Sequence, residues 1–350
     1  MSPPLDGSPT RRRRAGAISV VIGCALGLLL AALPAVPAAA CACGGVAPSP
    51  GSQVAVNEEH AIVSRAGGVE QIDLLLGMLS TDTQTGLIFP TPTPATVTLG
   101  DRADFEALDR VTTPTRVEDY DPWTTRGDGY GAPAGGAPQV LADVDLGPIR
   151  AVTLAADDAG ALSTWLADNN FVLPDAVSAL LGSYVERGWY FVAMKLTGEA
   201  PLEGDLDPIR FTFDSDTLVY PLELSRAATD PQTVRLYVVD DHRQVVAFDD
   251  HHPVDTASVT WAAPVTGTEV GHFGDFLTVF DLFFPDPGSQ ITGDLTFTDD
   301  TTDATFGTEV HVSVPLGIFG IPLGWLLIAL GGILVLAVLL VVGMVNTKHS

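Results

Sequence analysis

Apolar positions divide this chain into three unequal parts. Ala15–Leu33 and Leu323–Val345 are near-continuous apolar runs, while apolar residues between them recur in short periodic groups. Gln53–Asn57, Ala61–Arg65 and Val69–Leu76 alternate or cluster apolar side chains, which predicts strands. Gly86–Phe89 predicts another, ended by Pro90, Pro92 and Pro94, since proline cannot donate to a ladder. Asp101 is placed to cap a helix through about Thr112, with Phe105, Leu108 and Val111 on one side and Pro114 beyond its end. Residues 121–139 are rich in Gly, Pro and Asp and predict an exposed loop. Val140–Leu146 and Ile149–Ala155 resume strand character.

A helical pair is predicted next. Leu162, Trp165 and Leu166 share a face behind the capping candidates Asp157 and Asp158. Pro174 suits the start of a second helix, in which Val177, Leu180, Leu181, Tyr184 and Val185 form a core-facing stripe and Gly188 supplies the stop. Trp189–Leu196 reads as a strand buried on both faces. Beyond it the strand candidates are Arg210–Phe213, Leu218–Leu224, Val234–Asp240, Gln244–Asp249, Ala257–Trp261, Ile291–Thr298 and Glu309–Val314. Periodicity leaves Asp275–Phe284 open between a short helix and a buried strand. The predicted class is α+β, a mostly antiparallel sheet with a packed helical pair, plus one C-terminal transmembrane helix.

The two flanking runs predict topology. Arg11–Arg14 precede the first as a positive segment, and the small residues and prolines of Pro34–Ala40 follow it. Residues 1–40 are therefore predicted to be a secretory signal peptide, with an uncleaved signal anchor as the alternative. Leu323–Val345 is free of charge and, at about 1.5 Å per residue, spans roughly 34 Å, enough to cross a bilayer. Trp325 suits one interface and Lys348 a cytoplasmic stop. The domain organisation follows: an extracytoplasmic body at 41–315, which could divide into halves near 121–139, a juxtamembrane linker at 316–322, the transmembrane helix at 323–345 and a short cytoplasmic tail at 346–350. The predicted location is the cell membrane, single-pass.

Charge then narrows the function classes. The body carries 42 acidic against 12 basic residues. Such a field repels nucleic acid, so no nucleic-acid partner is predicted, and the expected partners are the membrane and an unidentified protein or envelope component. Cys24 falls within the signal. Cys41 and Cys43 remain as candidates for a tight disulfide, an interchain bridge, thiols or a processing and lipidation site.

Catalytic chemistry is weakly supported. The chain lacks a Gly-x-Ser-x-Gly elbow, a His-Glu-x-x-His helix, a Walker loop and a Gly-x-Gly-x-x-Gly turn. No catalytic residue and no cofactor is assigned. The one metal candidate is the group His242, Asp249, Asp250, His251 and His252, with ligand types that suit zinc or manganese. If Val234–Asp240 and Gln244–Asp249 pair as a hairpin, His242 lies at the turn and Asp250–His252 at the far end, which argues against one shared ion. The reading is a non-enzymatic, membrane-anchored binding or envelope-associated ectodomain. The alternatives are a metal-assisted envelope hydrolase using the His242–His252 region, or an accessory subunit of a membrane complex.

Several stretches resemble one family. They are Cys41-Ala-Cys43-Gly44-Gly45 after the signal, Phe89-Pro-Thr-Pro92, Phe105-Glu-Ala-Leu108 before Pro114, the stretch Tyr184–Lys195, and Tyr220-Pro221-Leu222. In this order they resemble the exported bacterial family catalogued as domain of unknown function 2330, over most of residues 41–300. The resemblance implies no established activity and carries over no catalytic residues. Members of that family often carry further cysteines near the start, which this chain lacks.

Overall fold

A computed structural model of the protein describes residues 45–121, 123, 150–154, 159–318 and 321–347. The predicted signal peptide, Cys41, Cys43, most of the 121–139 loop, the 140–146 strand and the predicted cytoplasmic tail beyond Thr347 lie outside the described residues.

Strands open the chain: β1 (Gly45–Pro48), β2 (Val54–Ala66), β3 (Val69–Ser80), β4 (Gln84–Thr91) and β5 (Thr96–Leu99). β2 and β3 form one long hairpin closed by Gly67-Gly68, both at positive φ (+61° and +83°). This two-residue loop matches the twist of the flanking strands. The predicted break between Asn57 and Ala61 is instead a bulge, with the register shifting between Val56 and Glu58, so the strand absorbs one residue and continues. β4 runs through Pro90 to Thr91, past the proline predicted to end it. Among the described residues β1 pairs with β4 up to Ile88, and on the other flank Pro90 stands opposite Phe191 of β8.

Helix α1 (Arg102–Thr112) is capped as its sequence predicts: the Asp101 carboxylate accepts from the Ala103 N–H at 2.9 Å, and Phe105 and Leu108 are buried. β6 (Thr115–Asp121) and β7 (Arg150–Leu154) follow, then α2 (Ala159–Asp168) and α3 (Asp175–Glu186). The end of α3 is built by Gly188 at φ +71°. Its N–H reaches the Val185 carbonyl, the Trp189 N–H reaches the Tyr184 carbonyl, and the two rings lie 5.3 Å apart. These are the paired bonds and hydrophobic contact of a Schellman stop. β8 (Tyr190–Thr197) is the buried strand its apolar run predicts.

The second half supplies β9 (Glu203–Asp205), β10 (Ile209–Asp214), β11 (Leu218–Tyr220), a 3-10 turn at Glu223–Ala227, β12 (Gln232–Asp240), β13 (Gln244–Phe248), β14 (Ala257–Pro264) and β15 (Phe276–Phe284). A one-turn helix α4 (Pro287–Gln290), β16 (Leu295–Asp299), β17 (Glu309–Pro315), the short β18 (Gly317–Ile318) and β19 (Ile321–Pro322), and helix α5 (Leu323–Thr347) complete the chain. The ambiguous 275–284 segment is thus a strand. The strand predicted over Leu218–Leu224 stops at Tyr220, where Pro221 turns the chain into the 3-10 segment.

The strands form a large sheet in the order β14-β15-β12-β2-β3-β10-β5, with β9 also on β3, a four-stranded sheet β1-β4-β8-β7 and a three-stranded sheet β11-β16-β13. Pairing is mostly antiparallel, but β2 and β12 run parallel inside the large sheet, and β6 with β17 form a parallel ribbon. β12 and β13 do not form the expected hairpin. β12 pairs with β15 and β2, whereas β13 leaves for the small sheet and pairs with β16.

One face of the large sheet packs on both smaller sheets, as where Phe211 of β10 stacks on Phe89 of β4 at 3.9 Å. The opposite face is covered by α1 and by Val265, Val270 and Phe273 of the β14–β15 connection. Leu162, Leu166, Val177, Leu181 and Tyr184, from α2 and α3, are buried with Ile88, Phe191 and Ala193 on the outer face of the four-stranded sheet. Packing is therefore layered, with α2 and α3 outermost on one side and α1 on the other.

Candidate functional site: a polar cleft beside helix α1

Strand β3 is apolar through Ile72–Leu76 except for Asp73, which is almost fully enclosed. A charge at such a position requires partners. Its cross-strand neighbour is Arg210 of β10, whose Nε donates to Asp73 Oδ1 at 2.6 Å and whose Nη2 donates to Oδ2 at 3.2 Å. Gln71 donates to the same Oδ2 at 2.7 Å. Burial raises the Asp73 carboxyl above its ordinary range, and the hydrogen bonds and charge of Arg210 oppose that rise. Arg210 Nη2 also reaches Asp104 in the first turn of α1 at 3.2 Å, and His272 Nε2 lies 3.5 Å from the other Asp104 oxygen. The opposite ring nitrogen of His272 lies 3.1 Å from the Glu269 carbonyl.

Arg210, itself held by Asp73, lines a cleft of about 240 Å³ together with Asp104 and His272, with Ser64, Gln71 and Thr212 as uncharged polar wall and Ala66, Val69 and Phe273 as apolar wall. Arg210 is already engaged by two carboxylates, and His272 makes its polar contacts with a carboxylate and a carbonyl. The geometry suits holding a small polar group against a fixed hydrogen-bonding wall, rather than activating a nucleophile.

A second polar cluster lies across the molecule. Arg187, the residue that caps α3, meets Glu223 at 2.8 Å, Asp249 at 2.7 Å and the enclosed Asp294 at 3.0 Å. Its guanidinium carbon also stands 4.4 Å from the centre of the Tyr184 ring and 4.7 Å from that of Trp189. Asp294 Oδ1 accepts from the Tyr184 hydroxyl and from the Leu222 and Glu223 N–H groups, at 2.6–2.9 Å. Burial is the main cause that pushes its carboxyl up to about 6. The cluster ties α3, the 3-10 turn, the end of β13 and the start of β16 into one joint.

The sequence-nominated metal candidates fall in three places. His242 sits in the β12–β13 connection, its Nδ1 3.0 Å from Asp303, which raises its pKa. Asp249 belongs to the Arg187 cluster. Asp250 and His252 pair locally at 2.7 Å, and His251 adopts φ +66° with its N–H on the Phe248 carbonyl. The five residues of β13 separate His242 from these by roughly 17 Å. Among the described residues, no three His, Cys, Asp or Glu side chains gather to hold a metal ion. The cleft and the Arg187 cluster were missed because their members lie far apart in sequence: Arg210 meets Asp73 across 137 positions. The available signal was a charge interrupting an apolar strand, at Asp73; Asp294 lies just before β16 and gave no such signal.

The family described as uncharacterized protein conserved in bacteria (DUF2330) matches residues 37–298. No curated protein matches the chain. Among solved structures, baculovirus P35 aligns at 9% identity and a TM-score of 0.33, covering 72% of this chain and 95% of that one. A mutated baculovirus P35 after caspase cleavage aligns at 7% and 0.30, covering 72% and 98%. Superpositions this loose carry nothing about fold or activity.

Proposed function

The chain belongs to the DUF2330 family of uncharacterised bacterial proteins, and from that premise we propose that it is a membrane-tethered binding protein whose sheet-rich body stands outside the cytoplasm. The observation that carries this reading is α5. Its 25 residues would extend roughly 37 Å, and its first 19 form a span long and apolar enough to cross a bilayer. Leucine, isoleucine and valine side chains stand exposed along its length, from Leu327 to Val341. A helix apolar on all sides and covered by no protein is matched by hydrocarbon. In this reading residues 1–40 act as the export signal, residues 346–350 remain in the cytoplasm, and the body presents the Arg210 cleft to a partner.

The test is extraction and topology. The full chain stays with membranes in alkaline carbonate, whereas a chain ending at Pro322 is released. Protease added to intact cells digests the body and spares the tail. Release of the full chain by carbonate removes the tether, and a protected body reverses the topology. The binding half is tested by a photo-crosslinking residue at Thr212 in the cleft and another at Leu99, at the sheet edge. A discrete adduct from the first and none from the second is expected; equal labelling from both positions overturns the cleft as the binding site.

A further inference from the structure

Every exposed Trp or Tyr side chain among the described residues lies near the junction of the β6–β17 ribbon with α5. These are Tyr120, Trp123 and Trp325, at 64%, 56% and 57% exposure, and they are joined there by exposed Leu316 and Ile321. The other tryptophans and tyrosines of the described body are buried or half-buried. Other exposed apolar residues of the body, Phe283 and Phe306 among them, are scattered along the chain, which is ordinary, whereas three exposed amphipathic rings near one junction have to be accounted for.

The group is held in place by the backbone. The Asp121 carboxylate accepts from the Trp123 N–H at 2.8 Å and the Asp121 carbonyl accepts from the Leu316 N–H at 2.9 Å. The Leu316 carbonyl then accepts from the Leu323 N–H at 2.8 Å, at the first residue of α5. Trp123, far earlier in the chain, is thereby laid over Gly324. A Cβ added at Gly324 would overlap the indole, so the absent side chain is what lets the ring rest there. Tyr120 points its hydroxyl to Glu118 at 3.1 Å, keeping its polar end among charged groups and leaving the ring bare.

We propose that Tyr120, Trp123 and Trp325, flanked by Leu316 and Ile321, form an aromatic collar that rests in the headgroup layer of the bilayer, on the side where the body lies. The partner is a lipid interface, where amphipathic rings are favoured because one end is apolar and the other wet. The inference rests on α5 spanning the membrane and adds that the body is seated on the surface, not suspended above it. Trp325 alone would be expected of any spanning helix. Trp123 belongs to the body, so its depth separates a seated body from a suspended one.

The test uses the full chain reconstituted in phosphatidylcholine bilayers carrying bromine on the upper acyl carbons, which quench tryptophan emission at that depth. The expected result is partial quenching in the native chain and a loss of about half of the quenched emission in each of W123F and W325F. Emission from the remaining tryptophans, which lie in the body, stays unquenched. If W325F removes the quenching and W123F leaves it unchanged, the collar is overturned while the span stands. If the native chain shows no quenching, both fail. W123Y provides a second variant of the same exposed position, and its circular dichroism confirms that the fold persists.

Discussion

Asp294 is nearly inaccessible to solvent yet accepts three hydrogen bonds on one oxygen and faces Arg187 with the other. Burial lifts its carboxyl from 3.8 to about 6, so the folded protein holds this proton more tightly than the unfolded chain does. The stabilising contribution is complete below about pH 4 and is lost as pH rises through about 6. D294N keeps an acceptor for Tyr184 and the two N–H groups but cannot titrate. Its urea midpoint is expected to vary less between pH 4 and 6 than that of the native chain; an unchanged profile excludes Asp294 as the titrating group. Arg187→Ala leaves that carboxylate without its counter-charge and removes the cation from Tyr184 and Trp189. A loss of about 3 kcal/mol is expected at pH 7, shrinking toward pH 4 where Asp294 takes up a proton. Denaturation at the two pH values measures it, and a cost equal at both contradicts the assigned role.

At the scale of elements, local chemistry was legible and long-range pairing was not. The Asp101 cap, the Pro174 start and the Gly188 stop are decided by the residues on the spot, and each helix lies where those residues place it. The β12–β13 hairpin failed because a short polar turn between two apolar runs is equally a passage from one sheet to another. What decides is the match of β12 to β2 and β15, from distant parts of the chain. The cleft was unreadable for the same reason: Asp104 and His272 are each unremarkable until a helix and a loop meet over the same sheet face. The β2–β3 turn gives the element-scale prediction. Both central residues have positive φ and no atom within 4 Å of an added Cβ, so conformation alone decides. Gly67→Asn is expected to be close to neutral, since asparagine accepts this conformation at the first position of such a turn. Gly68→Val is expected to cost about 1–2 kcal/mol. Equilibrium unfolding of the two variants checks the order, and a reversed order refutes the turn type.

For the molecule as a whole, electrostatics is governed by the excess of 42 acidic over 12 basic residues between Cys41 and Pro315. Some of the basic residues are shared between acids: Arg187 serves three carboxylates and Arg210 two. Self-repulsion therefore opposes the compact state, and it is screened within a Debye length of about 8 Å at physiological salt. The expected outcome is a Tm that rises as sodium chloride is raised from about 10 to 150 mM. A fall would mean that the paired arginines, not the excess acids, dominate. The parallel ribbon of β6 and β17 has a mechanical consequence. Any pull on α5 enters β17 at Pro315, while β6 is tied to the body at its opposite end, through Thr115 and α1. Two strands running the same way and loaded from opposite ends slide against one another, so their hydrogen bonds share the force in shear and do not open one by one. The ribbon is therefore oriented as a stiff strap, able to carry tension between the body and α5.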